Sequence, residues 1–153
     1  MNCCSNSAGA LCDAALDSHL KTICINGEIS VEALCGDSEN LCLKSKGYKS
    51  DDALVIAALL AKNQKVRSVD LSQNDVGSIG ARAIGKACLS NQVTSLSLTA
   101  SVMIPVGELR EKATVNLRGL WLQDLEAFCI IGAISENKVT VCLDLSDNCF
   151  SSE

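Results

Sequence analysis

The stretch VRSVDLSQNDVGSIGARAIGKACLSN, which runs from Val66 to Asn91, carries the pattern that decides the fold. It begins with alternating apolar residues, Val69 and Leu71, and this period of two is typical of a short strand with one buried face. Asn74 follows, and apolar residues then recur at the three- and four-residue spacing of a helix with one buried face. The stretch therefore predicts a unit of strand, turn and helix.

The strand part of this unit recurs along the chain. The hexapeptide LDLSDN at 143–148 matches VDLSQN at 69–74, and degenerate copies lie at 23–25, 41–43, 96–98 and 115–117. The last apolar residue of each copy falls at 25, 43, 71, 98, 117 and 145, so successive copies are 18, 28, 27, 19 and 28 residues apart. A recurring step of this length indicates a repeat architecture, in which stacked units share one apolar core.

Each long step contains a helix pattern, over about 50–62, 76–91 and 124–137. The two short steps have room for a strand and a turn with at most one helical turn, and Pro105 stands where a helix would otherwise begin. A further apolar pattern predicts a helical segment within residues 1–20.

Length and composition fit a single domain over residues 1–153, with repeats over about 21–150. Apolar residues make up 48% of the chain and aromatics only 3%, so Leu, Ile, Val, Ala and Cys must build the core. The net charge is −5 and no block of basic residues occurs, which argues against nucleic-acid binding. No apolar run reaches the roughly 20 residues of a membrane span, and no secretory signal is recognisable, so a cytoplasmic location is expected.

Ten cysteines raise the alternative of a disulfide framework. Most of them sit inside apolar periodic segments, where a free cysteine packs as a small hydrophobe. No Cys-x-x-Cys pair occurs and His19 is the one histidine, so we expect reduced thiols and neither a metal site nor a cofactor.

Residues 66–87 resemble a leucine-rich repeat of the ribonuclease-inhibitor type, whose units are near 28 residues with a full outer helix. The resemblance is strong over 66–92, good over 41–65 and 117–148, and weak over 1–40 and 99–116. It implies an α/β solenoid, with short parallel strands on the inner face and helices on the outer face. A small doubly wound α/β domain is the alternative, but that fold favours longer strands and a glycine-rich first turn.

Side chains alternate along a strand, so the neighbours of the buried apolar residues should line the inner face. We expect an unidentified protein partner there, bound by a non-enzymatic interaction or scaffold module. The alternative is a face that only keeps the protein in solution. The candidate partner-binding residues are Lys44, Asp70, Ser72, Ser97, Asn116, Arg118 and Asp144.

Asn74 and Asn148 are predicted to satisfy backbone groups where the chain turns out of its strand. Ser101 and Leu120 take this place in other units, which should weaken the ladder there. Trp121 and Tyr48 follow strands, and core packing is the more frequent role for such residues, with an exposed anchor as the alternative.

Two further possibilities stay open at this stage. Cys24 and Cys42 would lie on adjacent strands, about 4.8 Å apart, which suggests a thiol-based redox-responsive protein as the alternative function. A solenoid without polar caps would also expose apolar ends, through which copies of the chain could associate with one another.

Overall fold

The computed structural model describes residues 3–151, with side chains from residue 7 onward. It is a mixed α/β structure in which three-residue strands alternate with helices. In chain order the elements are α1 (Cys3–Leu16), β1 (Thr22–Cys24), β2 (Glu28–Ser30), α2 (Val31–Cys35), β3 (Asn40–Cys42), α3 (Ser50–Leu60), β4 (Ser68–Asp70), α4 (Gly77–Leu89), β5 (Ser95–Ser97), α5 (Val106–Glu111), β6 (Thr114–Asn116), α6 (Asp124–Ile134) and β7 (Cys142–Asp144).

The strands form three small, separate sheets. Strands β3, β4 and β5 pair in parallel, with Leu41, Val69 and Leu96 in register. Strands β6 and β7 also pair in parallel, with Val115 opposite Leu143. Strands β1 and β2 form an antiparallel hairpin. The prediction of six strands side by side is therefore wrong at two places, the N-terminal hairpin and the junction of β5 with β6.

The N-terminal hairpin forms because the chain reverses directly after β1. The amide of Ile25 donates to the Gly27 carbonyl, and Ile23 then pairs with Ile29. A side chain on Gly27 would collide with the Tyr48 ring, so the turn depends on glycine for this close approach. Ile25 was predicted to point into the core, but it lies in this turn and is 46% exposed.

The second interruption follows β5. The Leu96 amide donates to the Ile104 carbonyl (3.0 Å), and the Ile104 amide donates to the Leu96 carbonyl (2.7 Å). These groups belong to the edge of β5 that faces away from β4, so Ile104 occupies the place where β6 would pair. Helix α5 begins directly after Pro105, so the proline precedes a short helix instead of preventing one.

The three long helix patterns are confirmed as α3, α4 and α6. Helix α4 packs against both of the others, and α5 is too short to separate α4 from α6. The core lies between these helices and the strands. The middle residue of every strand from β1 to β6 is buried in it.

A series of asparagines follows the helices and ties each unit to the one before it. The side-chain amide of Asn63 donates to the Leu34 carbonyl (2.7 Å), and that of Asn91 donates to the Leu60 carbonyl (3.0 Å). Asn137 makes the corresponding bond to Leu109. In each case the accepting carbonyl lies in or near the last turn of the preceding helix, where backbone acceptors lack helical partners.

Strand β7 is the least covered strand of the described chain. Leu143 and Leu145 are only partly buried, and Val141 is 82% exposed. The residues in the places of Leu143 and Leu145 are buried in β3, β4, β5 and β6. This side of the β6–β7 sheet therefore presents apolar side chains to solvent.

Candidate functional site

The polar residues at the ends of three strands accept hydrogen bonds from the backbone of the turns that follow them. A side-chain oxygen of Asp70 accepts the Ser72 amide at 2.9 Å. Asn116 does the same for Arg118 (2.9 Å), and Asp144 for Ser146 (3.0 Å). These bonds between residues two apart form a turn that lets the chain leave the strand. Sequence reasoning assigned the three side chains only to partner binding, although an Asp or Asn at a strand end is a signal for such a turn.

The two aspartates of this set remain ionised carboxylates beside cations. Hydrogen bonding from Ser72 lowers the pKa of Asp70, and the nearby Lys44 ammonium acts in the same direction. Hydrogen bonding from Ser146 lowers the pKa of Asp144, with Arg118 again adding to the effect. The exposed surface beside the strands therefore carries paired charges of both signs.

The candidate residues fall into two groups because the sheet is interrupted. The register of β4 and β5 places Asp70 beside Ser97, and the register of β6 and β7 places Asn116 beside Asp144. Ser72 does not belong to this surface: only 2% of it is exposed, because the turn after β4 folds it inward. The prediction that its side chain lies on the exposed face beside the strands is wrong for this reason.

Asn74 and Asn148 hold the turns of the preceding units. The Asn74 side-chain amide donates to the carbonyls of Leu43 and Leu71 at 2.8 Å, and its oxygen accepts the amides of Lys46 (3.0 Å) and Tyr48 (3.1 Å).

Asn148 repeats this arrangement one sheet further on. It donates to the carbonyls of Leu117 and Leu145 at 2.8 Å and accepts the Leu122 amide at 3.1 Å. Each asparagine therefore joins two successive strands and the turn between them.

The turns after the strands share residues with a left-handed backbone conformation. The second residue after the last apolar residue of the strand has positive φ in four units, at Ser45, Gln73, Gly119 and Asp147. The fourth residue has positive φ in two units, at Gly47 and at Trp121, where φ is 61°. A bulky residue in this conformation is unusual and costs free energy that glycine avoids.

Trp121 is 73% exposed in spite of this cost. Its turn is held against the turn that follows β7, because the Gly119 amide donates to the Ser146 carbonyl (3.0 Å) and Arg118 forms an ion pair with Asp147 (2.6 Å). Leu120, beside it, is 39% exposed. The expectation that Trp121 packs in the core is wrong, since it takes the place of Gly47 in the repeat, where a side chain points to solvent.

Tyr48 lies one position further along its turn and follows the expectation. It is 2% exposed, and its hydroxyl donates to the Glu28 carbonyl at 2.7 Å. Its counterpart in the β6 turn is Leu122, which is also buried. Adjacent positions in the same turn thus have opposite environments.

The structure does not bring Cys24 and Cys42 onto adjacent paired strands. Cys24 lies opposite Glu28 in the β1–β2 hairpin, whereas Cys42 lies opposite Asp70 in the β3–β4 pair. The geometric premise of the redox alternative is therefore wrong. Burial raises the pKa of Cys88 to about 12 and raises that of Cys129 as well, so these two thiols are poor nucleophiles.

Comparison with known proteins finds one family. Residues 62–85 match a family model described as a leucine-rich repeat. Neither the curated proteins nor the solved structures contain a match to the chain. The matched residues include β4 and the first part of α4, which form the central unit of the fold. The match supports a leucine-rich repeat protein, a class whose stacked units present extended surfaces for binding other proteins.

Two further properties bear on the kind of site. Within residues 3–151, no helix combines the length and apolar character needed to cross a membrane. Across the same part of the chain, no group of three or more His, Cys, Asp and Glu side chains is arranged to hold a metal ion.

Proposed function

We propose that the chain is a non-enzymatic protein-binding module whose partner docks on the polar residues beside the strands. We call this surface the docking face and define it by Lys44, Asp70, Ser97, Asn116, Arg118, Asp144 and Trp121. The proposal includes the fold: we propose that the units stack as a leucine-rich-repeat solenoid of the ribonuclease-inhibitor type. This solenoid would form one domain over residues 1–153, with repeats over about 21–150.

The exposed Trp121 is the observation that carries the proposal. Binding energy concentrates in Trp, Tyr and Arg side chains, and Trp121 and Arg118 lie in the same turn. A tryptophan held in a rigid turn loses little conformational entropy on binding, because its backbone is already fixed. Its left-handed φ also disfavours any purely structural explanation, since glycine would serve the turn better.

The charges of the docking face favour selective binding over non-specific association. Asp70 lies near Lys44, and Asp144 lies near Arg118, so each group of the face contains both signs. Such pairs orient a partner and reject one with the opposite pattern. The burial of Cys12, Cys88 and Cys129 fits a reducing compartment such as the cytoplasm, where thiols persist as core side chains.

Affinity capture with the full chain tests the proposal. The Trp121→Ala variant should lose at least tenfold in affinity for the captured partner, because a central anchor contributes about 2 kcal/mol or more. Arg118→Glu and Asp144→Lys should each weaken binding by about 1 kcal/mol or more. Ile79→Ala is the matched control, since Ile79 is an exposed apolar residue (66%) on α4, a helix that contributes no residue to the docking face. Wild-type affinity in all three docking-face variants would contradict the proposal.

A second mode of binding is association of two copies through the apolar side of β7. The exposed Val141 and the partly exposed Leu143 and Leu145 favour it. Sedimentation equilibrium of the wild type and of Val141→Lys distinguishes the cases. A dimer that dissociates in the variant supports this mode, whereas a monomeric wild type excludes it.

A further inference from the structure

Glu126 of α6 and Asp52 of α3 hold equivalent positions, but they differ in the hydrogen bonding of one carboxyl oxygen. Each is the third residue of its helix, is fully buried, and accepts the amide of the residue before the helix, at 3.0 and 2.9 Å respectively. The second oxygen of Asp52 also accepts the amides of Asn26 (2.9 Å) and Gly27 (3.2 Å). The second oxygen of Glu126, Oε1, has no hydrogen-bond partner among the described residues.

The missing donors belong to the turn that follows β5. Strand β5 precedes β6 and α6 by a short step, as β1 precedes β3 and α3, so residues 99–100 correspond to Asn26 and Gly27. The chain after β5 instead folds back, and Ile104 bonds to Leu96. A buried carboxylate oxygen without a hydrogen bond is unfavourable, because its lost hydration is not replaced.

The same fold-back leaves a strand edge unused. Strand β6 bonds to β7 through the Ala113 carbonyl and the Leu117 amide. Backbone groups alternate in direction along a strand, so those of Thr114 and Asn116 face away from β7, toward the β5 side. An unsatisfied carboxylate and an open edge therefore occur at one interruption of the sheet.

Residue 120 lacks the asparagine side chain that holds two of the other turns. The turn after β3 is held by Asn74 and the turn after β6 by Asn148, in each case from the following unit. The turn after β5 would be held from the corresponding position, which is Leu120. A leucine has neither the donors nor the acceptor of an asparagine side chain, so nothing fixes that turn next to β6.

We propose that residues 98–105 form a connector with two alternative positions and that residue 120 selects between them. In the position seen here, Ile104 pairs with Leu96 and the sheet is interrupted. In the other, the amides of 99–100 donate to Glu126, and β5 pairs with β6 in one parallel sheet. Eight residues join β5 to α5, against seven between β3 and α3 and seven between β6 and α6, so the connector is long enough for the regular turn.

This conformational change would alter the docking face. Strand β5 carries Ser97 and strand β6 carries Asn116, and these residues lie on separate sheets in the position seen here. Pairing of β5 with β6 brings the two groups of polar residues into one continuous register. A partner that contacts both groups at once therefore favours the second position, because it binds the two positions with different affinities.

Amide hydrogen exchange of Leu120→Asn, measured residue by residue by NMR, tests the proposal, with Leu120→Ala as the matched control. Leu120 is 39% exposed, so both substitutions avoid the core. In Leu120→Asn, the amides of Thr114 and Asn116 should become at least tenfold more protected, and the Ile104 amide should lose protection. Leu120→Ala should leave the wild-type pattern. A folded Leu120→Asn variant with wild-type protection at Thr114 and Asn116 overturns the proposal.

A second variant keeps the proposal testable if Leu120→Asn does not fold. It places a leucine at a position where the repeat does have the asparagine. Asn148→Leu removes the side chain that joins β6 to β7, so the amides of Leu117 and Cys142 should lose at least tenfold in protection. The amides of Leu43 and Leu71, in the β3–β4–β5 sheet, should retain theirs. Unchanged protection at Leu117 and Cys142 shows that the asparagine does not select strand pairing, and the proposal then fails.

Discussion

Gly85 of α4 lies against the Cys129 carbonyl of α6, and Gly132 of α6 lies against the Arg82 carbonyl of α4. A methyl group on either glycine would overlap the backbone of the other helix. The two glycines therefore make a reciprocal contact that sets the separation of α4 and α6. The contact exists because the unit between these helices is short and its helix does not separate them.

Gly85→Ala should destabilise the protein although alanine favours helices. Alanine is the better helix former by about 1 kcal/mol, but overpacking typically costs about 1–3 kcal/mol. We expect a net loss of about 1–2 kcal/mol in the free energy of unfolding, measured by urea titration. Gly9→Ala in α1 is the control, because nothing lies within 4 Å of its Cβ position. A neutral Gly85→Ala would show that the helices separate freely.

Asn74→Ala should lower stability by about 2–3 kcal/mol, because it leaves buried backbone groups of two turns without partners. The affected groups include the Leu43 and Leu71 carbonyls. Asn40→Ala, at an exposed position of β3, should change stability by less than about 0.5 kcal/mol. Chemical denaturation followed by circular dichroism measures both. Equal stability of the two variants would show that the hydrogen bonds of the Asn74 side chain do not stabilise the fold.

Trp121→Gly should raise stability by about 0.5–1 kcal/mol while removing binding. The left-handed backbone costs a bulky residue about 1–2 kcal/mol, part of which glycine loses again through its more flexible unfolded state. Gly47→Ala is the complementary control at the equivalent position, where φ is 74° and no atom lies within 4 Å of the Cβ position. It should lower stability by about 1 kcal/mol.

Circular dichroism is the appropriate measurement for these two variants, since Trp121 is the single tryptophan and its fluorescence disappears on substitution. A less stable Trp121→Gly would mean that the indole contributes to packing. The interpretation of Trp121 as an exposed anchor would then be wrong.

Asp52→Asn should be destabilising at neutral pH and less so in acid. Burial raises the pKa of Asp52, but the backbone amides of Lys49, Asn26 and Gly27 outweigh it, so the pKa lies below its usual value. A carboxyl group with a depressed folded pKa contributes stability that is fully present above the unfolded pKa, about 3.9, and is lost as the pH falls through the folded value.

The difference in unfolding free energy between wild type and Asp52→Asn should therefore be about 1.5–3 kcal/mol at neutral pH and should shrink as the pH falls below about 4. Asp51→Asn, an exposed neighbour in the same helical turn, is the control and should show a much smaller difference. A difference that stays constant from neutral pH to pH 3 or so would show that the carboxylate charge of Asp52 contributes nothing to stability.

The sequence predicted those features that depend on local spacing. The period of two at Val69 and Leu71 and the helical spacing after Asn74 identified strands and helices, because each element must bury one face. The long helices α3, α4 and α6 were found in this way. The expectation that Ser101 and Leu120 both weaken the ladder holds only in part, because β4 and β5 pair regularly although Ser101 takes the place of the asparagine.

The two places where the parallel pairing breaks, and the exposure of the turn residues, were decided only by the tertiary structure. Whether Leu96 bonds to Ile104 or to β6 depends on which backbone edge comes nearest, and the pattern of apolar residues is the same in both cases. Trp121 and Tyr48 differ by one position in a turn whose backbone conformation reverses the direction of the side chain. Ser72, which alternation placed on the surface, is turned inward because the chain leaves the strand there and the alternation of a strand no longer applies.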